Sequence, residues 1–176
     1  MAEFPLIPLT PTLIEIDSDE FNAICGWPFS DRFVGRVLRD DIPQRLRLNI
    51  GWIWIYRDRA GRLVGFGSLT ICDDYSIYND GHHHPYIPIL AVNPTLVGCG
   101  YGTAILRHLV SHAALLTCNK YRESDVLFLD VYVSNVNAIR LYEKCGFVKI
   151  AHDPRYDPDE ENYYIIMAKR VSISES

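Results

Sequence analysis

The sequence predicts an α/β chain: a mixed, mostly antiparallel central sheet of about six to seven strands with helices on both faces. Three observations carry this. Two alternating runs joined by a short turn read as a hairpin over residues 50–71; two helical patterns, 100–117 and 135–145, each follow an apolar strand; and two further strands close the chain.

In chain order, residues 13–17 read as a first strand. Residues 31–41 read as a helix with Phe33, Val34, Val37 and Leu38 on one face, which Pro43 should end. In 50–56, Ile53 and Ile55 alternate with Trp52, Trp54 and Tyr56. Asp58, Arg59, Ala60 and Gly61 turn the chain into a strand over 63–71. A polar loop then leads to one apolar strand, 86–92. The helix 100–117 follows, with Ile105, Leu106, Leu109, Val110 and Ala113 inward and Arg107, His108, Ser111 and His112 outward. A strand over 126–133 precedes the helix 135–145, which Gly146 ends in the position of a left-handed cap. Strands 147–151 and 163–169 finish the sheet, with the acidic segment 153–161 between them as a loop.

At 176 residues the chain is expected to form one domain, 1–176. Hydrophobic residues make up 48% and charged residues 22%, the balance of a globular protein rather than a disordered tail. A net charge of −5 argues against a nucleic-acid partner. No apolar run suits a membrane span, and the first residues lack the pattern of a secretory leader, so a cytoplasmic location is expected. Cys25, Cys72, Cys99, Cys118 and Cys145 have irregular spacing and no CxxC pair. We expect reduced, mostly buried thiols and no metal centre.

The chemistry concentrates in Val97-Gly98-Cys99-Gly100-Tyr101-Gly102-Thr103, between a strand and a helix. Unpaired N–H groups of a first helical turn attract anions, and glycines let a phosphate reach the backbone. The lysine and spacing of a nucleotide P-loop are absent, and Thr103 or Ile105 stands where a dinucleotide fingerprint needs its third glycine. A glycine turn that binds nothing is an equally good reading of this loop alone.

A second stretch changes the balance. Gly100 and Gly102 match the glycine positions of Q/R-x-x-G-x-G/A, while Asn135, Ala138, Leu141, Tyr142, Gly146 and Phe147 match N-x-x-A-x-x-L-Y-x-x-x-G-F. Together they resemble the GNAT acetyltransferase superfamily over residues 62–170; Val97 departs from its usual Gln or Arg. The resemblance implies a sheet splayed at an acyl-CoA site and acetyl-CoA as co-substrate. It puts pyrophosphate on the backbone of Val97 to Thr103 with Cys99 and Tyr101, pantetheine along Leu90, Ala91 and Val92, and Asn135, Ala138 and Tyr142 beside the donor. It further implies the Val92 N–H as oxyanion donor, and Tyr142 as general acid to the departing thiolate, although an aromatic on that helical face also suits a core.

The base is left open. In relatives a glutamate often stands six residues before the Val92 position, which here is Tyr86; His84 lies nearby, and Asp73 and Asp74 are further candidates through water. Trp27, Phe29, Trp52 and Trp54 are candidates for the acceptor side, though aromatics in a half-buried sheet usually pack. The expected reaction is direct acetyl transfer to a primary amine: a protein N-terminus, a lysine or a small molecule. A non-catalytic acyl-CoA-binding module is the alternative; neither membrane nor nucleic acid is an expected partner, and a homodimer is left open.

Overall fold

Asp58 builds the turn of the predicted hairpin. Its Oδ1 accepts from the N–H groups of Ala60 and Arg62 at 2.9 and 3.0 Å, and Gly61 takes a φ of +77°, which glycine adopts without strain. The computed structural model describes residues 7–13, 18–29, 32–47, 51–72, 83–117, 124–150 and 153–171. Asp73, Asp74 and the side chains of Phe33, Cys72 and Cys118 lie outside that description.

The strands are β1 Thr10–Leu13, β2 Gly51–Arg57, β3 Leu63–Cys72, β4 His84–Ile87, β5 Leu90–Val92, β6 Val126–Tyr132, β7 Val148–Lys149, β8 Arg155–Asp157 and β9 Asn162–Arg170. The helices are α1 Asp19–Cys25, α2 Arg32–Arg36, α3 Ile42–Arg47, α4 Tyr101–Thr117 and α5 Val136–Lys144. The chain divides into two compact units: Met1–Ser68 with Ile89–Arg107, and Leu69–Pro88 with His108–Ser176. Strand β3 and helix α4 each begin in the first and end in the second.

In the first unit β1 pairs antiparallel with β2, β2 neighbours β3, and β5 pairs antiparallel with the early part of β3. One face is covered by Phe21, Ile24, Val37, Leu38 and Ile42, packed with Ile53, Ile55, Phe66, Ile89 and Ala91. Burying each large side chain contributes about 1.5–3 kcal/mol. Trp54 and Tyr56 are buried as well, so β2 is covered on both faces.

In the second unit the late part of β3 pairs antiparallel with β4, β4 pairs parallel with β6, and β9 pairs antiparallel with β6, β7 and β8. Phe128, Ile166 and Ala168 form a core flanked by Tyr86, Val126, Ile150 and Tyr164.

Several expectations need correction. The first strand is 10–13 rather than 13–17, an exposed edge set by pairing to β2, and residues 14–17 lie outside the described part. Helix α1 was not anticipated, although Ser18 caps it by accepting from the Phe21 N–H at 3.2 Å, with Asp19 and Glu20 in the first turn. Pro43 does not end the helical run. A π-turn, Val37–Asp41, intervenes, with the Ile42 N–H bonded to the Val37 carbonyl, and Pro43 becomes the second residue of α3, the helical run passing through it.

The expected strand 86–92 is two strands, because Pro88 cannot donate to a ladder. Pairing along β3 gains one residue there: Thr70 faces Tyr86, but Gly67 faces Leu90 rather than Ile89. The acidic segment contains β8, and among the described residues nine strands pair rather than six to seven. His108 and His112 are half-buried rather than outward, their rings 6.1 Å apart. Cys25 and Cys99 are exposed and Cys145 is half-buried, because they occupy helix ends and the glycine loop rather than element interiors.

Candidate functional site

The first unit holds the donor-side residues. The Ser68 N–H bonds to the Ile89 carbonyl at 2.9 Å and the Asn93 N–H to the Val64 carbonyl at 2.8 Å. Antiparallel pairs alternate between bonded and non-bonded, so Gly67/Leu90 and Gly65/Val92 are the non-bonded pairs. The N–H and carbonyl groups of Leu90 and Val92 therefore point away from β3, and among the described residues β5 pairs with β3 alone. Gly65 permits this close pairing, since a Cβ there would sit 2.5 Å from Ile105 Cδ1 and 2.7 Å from the Ala91 carbonyl.

Past Val92 the chain turns through Pro94–Leu96, capped by Asn93, whose Oδ1 accepts from the Thr95 N–H at 3.0 Å. Gly98 and Gly100 take φ of +87° and +85°, the left-handed region, and Val97 is exposed. The Cys99 N–H bonds to the Leu96 carbonyl and the Ala104 N–H to the Gly100 carbonyl. Among the described residues, the N–H groups of Gly98, Gly100, Tyr101, Gly102 and Thr103 meet no backbone acceptor. That arrangement suits an anion.

Sequence reading missed the cation beside this loop. The Arg62 guanidinium pairs with Asp58 through Nε at 2.8 Å and through its terminal nitrogen at 2.7 Å, and the Tyr101 hydroxyl donates to the same carboxylate at 3.4 Å. Burial acts to raise the Asp58 pKa, but hydrogen bonds and charge from Arg62 and the Ala60 N–H outweigh it and lower it. The only sequence signal was the Asp-x-x-x-Arg spacing across the turn.

The second unit holds the other predicted residues. Tyr86 lies on β4, half-buried, and its hydroxyl donates to Asp130 Oδ2 at 3.3 Å. His84 is 3% exposed, with Nδ1 2.6 Å from Ser124 Oγ and its ring edge-on to Phe128 at 5.0 Å. Such burial disfavours an imidazole that must meet an incoming amine.

On α5, Asn135 is the N-cap, its Oδ1 accepting from the Ala138 N–H at 3.1 Å, so these two residues already serve the helix start. Tyr142 is 8% exposed, packs on Phe147 at 6.0 Å, and burial pushes its phenol up to about 12. The helix ends at Gly146 with φ +87°, and the Lys169 ammonium donates to the Cys145 carbonyl at 2.6 Å, a cation at the negative end of a helix. Trp27 and Phe29 pack on Phe66 at 6.3 and 6.2 Å, as core aromatics do. Among the described residues no three His, Cys, Asp or Glu side chains gather to hold a metal, and no helix is long and apolar enough to cross a membrane.

Comparison with known proteins identifies the family and the fold. Residues 11–147 match the sequence profile described as the acetyltransferase (GNAT) family. A mycothiol acetyltransferase of Propionibacterium freudenreichii is 32% identical over 106 residues, covering 59% of this chain and 30% of that protein. The chain thus spans under a third of the length of the curated relatives it matches. Among solved structures, the spermidine N-acetyltransferase of Vibrio cholerae in complex with CoA and spermine superposes with a TM-score of 0.67 at 16% identity, covering 93% of this chain and 95% of that one. The ribosomal-protein-S18-alanine N-acetyltransferase of Escherichia coli superposes with a TM-score of 0.61 at 20% identity, covering 96% and 97%.

Proposed function

The chain belongs to the GNAT acetyltransferase family, and from that premise we propose that it transfers an acetyl group from acetyl-CoA to a primary amine by direct attack on the thioester. The observation that carries this is the run from β5 into the glycine loop. Amide groups of Leu90 and Val92 turned away from β3 suit a pantetheine chain. The N–H groups of Gly98, Gly100, Tyr101, Gly102 and Thr103 suit the pyrophosphate that follows, and the Arg62–Asp58 pair is tied to the loop through the Tyr101 hydroxyl.

In this reading the Val92 N–H donates to the thioester oxygen as negative charge develops there. Tyr142 keeps its proton because burial disfavours its phenolate, so it is protonated when the thiolate leaves and donates to the sulfur. The acceptor class, protein N-terminus, lysine or small amine, stays open within this proposal; the names of the structural relatives, a spermidine and an alanine acetyltransferase, support the amine as such. Exposed free thiols at Cys25 and Cys99 favour a reducing, cytoplasmic compartment.

Calorimetric titration with acetyl-CoA, CoA and ATP tests the donor site, followed by thiol release with spermidine, an alanine-initiated peptide and Nα-acetyl-lysine methyl ester, whose one free amine is that of the side chain. Binding of both CoA species but not ATP, with thiol release for one amine, is the expected result. Binding without release would favour a non-catalytic acyl-CoA module, and no binding at all would remove the donor assignment.

A further inference from the structure

Strand β1 is exposed along its whole length, and so is Pro8 before it, yet Ile7 and Leu9 in the same stretch are half-buried. An apolar side chain beside an exposed edge leaves water only by finding a partner. The register of β1 shows where that partner lies. Thr10 stands opposite Arg57, the last residue of β2, so residues 7–9 lie past the end of β2, on the side of the turn over 58–61.

There Ile7 meets the glycine loop. A Cβ placed on Gly100 would lie 2.8 Å from Ile7 Cδ1, and among the described residues nothing else comes within 4 Å of that point. Gly98, the other left-handed glycine of the loop, has nothing within 4 Å of the same position. One glycine face is open and the other holds a methyl group. Ile7, Gly98 and Gly100 all belong to the first compact unit.

The covered space is the one an anion needs. A missing side chain at Gly100 lets a phosphate approach the backbone N–H groups around it. A methyl group accepts no hydrogen bond, so Ile7 and a phosphate exclude each other there. Pairing of β1 with β2 keeps Ile7 close, since Pro8 and Leu9 alone separate it from the strand. Its hold is light: burial equivalent to one or two methyl groups favours the covered state by about 5–10-fold.

Resting on the acetyl-CoA reading above, we propose that Ile7 is a latch over the pyrophosphate end of the donor site, closed on Gly100 in the free protein and displaced when acetyl-CoA enters. A site that is open for only a fraction of the time binds more weakly by that fraction. The latch closes on the empty site alone, so it slows association and leaves dissociation of bound donor untouched. It raises the acetyl-CoA concentration at which the protein responds, and a contact that draws residues 7–9 away lowers that threshold.

The test uses the whole chain with acetyl-CoA and CoA, comparing wild type with Ile7→Ser, Ile7→Ala and Ile7→Leu by calorimetry and rapid-mixing kinetics. Ile7→Ser should lower both Kd values by about 5–10-fold, through faster association with koff unchanged. Ile7→Ala should fall between, and Ile7→Leu, which keeps an apolar contact, should stay near wild type. Binding by Ile7→Ser where wild type shows none would be the latch in its strongest form. Equal Kd values in wild type and Ile7→Ser would overturn the latch and leave the donor site standing. Weaker binding in Ile7→Ser, or a gain carried by koff, would also overturn it, because Ile7 would then support the loop or the bound donor. No binding by wild type and Ile7→Ser alike would overturn the latch and the donor site together. Should Ile7→Ser fail to fold, Ile7→Ala decides by the same rates.

Discussion

Tyr142 keeps its proton because burial disfavours the phenolate, with the pKa pushed up to about 12. Tyr142→Phe keeps the ring on Phe147 and loses only the hydroxyl, so kcat should fall by about 10²–10⁴-fold while the Kd for acetyl-CoA holds; unchanged turnover would remove the phenol from the reaction. Gly100 combines a φ of +85° with a close neighbour, since a Cβ there would meet Ile7 Cδ1 at 2.8 Å. A β-branched residue is strained in that region by about 1–2 kcal/mol, and its side chain would block the approach of a phosphate to the backbone, so Gly100→Val should abolish donor binding by calorimetry. Intact affinity would refute the loop as the donor site. The proposals for Gly100 and Tyr142 come from motif spacing, which is local; Tyr86 and Asp130 are brought together only by strand pairing.

At the scale of elements, α4, α5 and the β2–β3 hairpin were readable because their signals are contained within them: apolar periodicity, a glycine at the helix end, a turn over residues 58–61. Asn135→Ala removes the side-chain acceptor for the Ala138 N–H and should cost about 1 kcal/mol, seen as a lower denaturant midpoint with unchanged slope. An unchanged midpoint would mean that the cap bond contributes nothing. The π-turn before Pro43 and the break at Pro88 were misread for one reason. Proline states what its own backbone cannot do, and the chain on either side decides whether it stops, widens or shifts register. Strand β8 was invisible because three residues in an acidic segment carry no period, and its pairing to β9 defines it.

Over the whole molecule, the histidines of α4 set a pH dependence. Burial lowers the pKa of both His108 and His112, and for His108 the charge of His112 adds to it. Each folded pKa lies below the unfolded value, so the unfolded chain binds more protons between the two. Stability is fully present above about 6.5 and is lost as pH falls through the depressed folded values. Thermal melting from about pH 8 to about pH 5 should show this decline, and His108→Gln with His112→Gln should flatten it; an unaltered slope in the double variant would exclude the pair as its source. By itself the sequence determined the mixed α/β class, the two principal helices and the glycine loop, because periodicity, caps and motif spacing act over a few residues. Tertiary structure alone decided the extra residue between β4 and β5, the direction of the Leu90 and Val92 amides, the Arg62–Asp58–Tyr101 cluster and the meeting of Tyr86 with Asp130. Each depends on which strand or turn lies beside which, and pairing energies are shared between segments far apart in the chain.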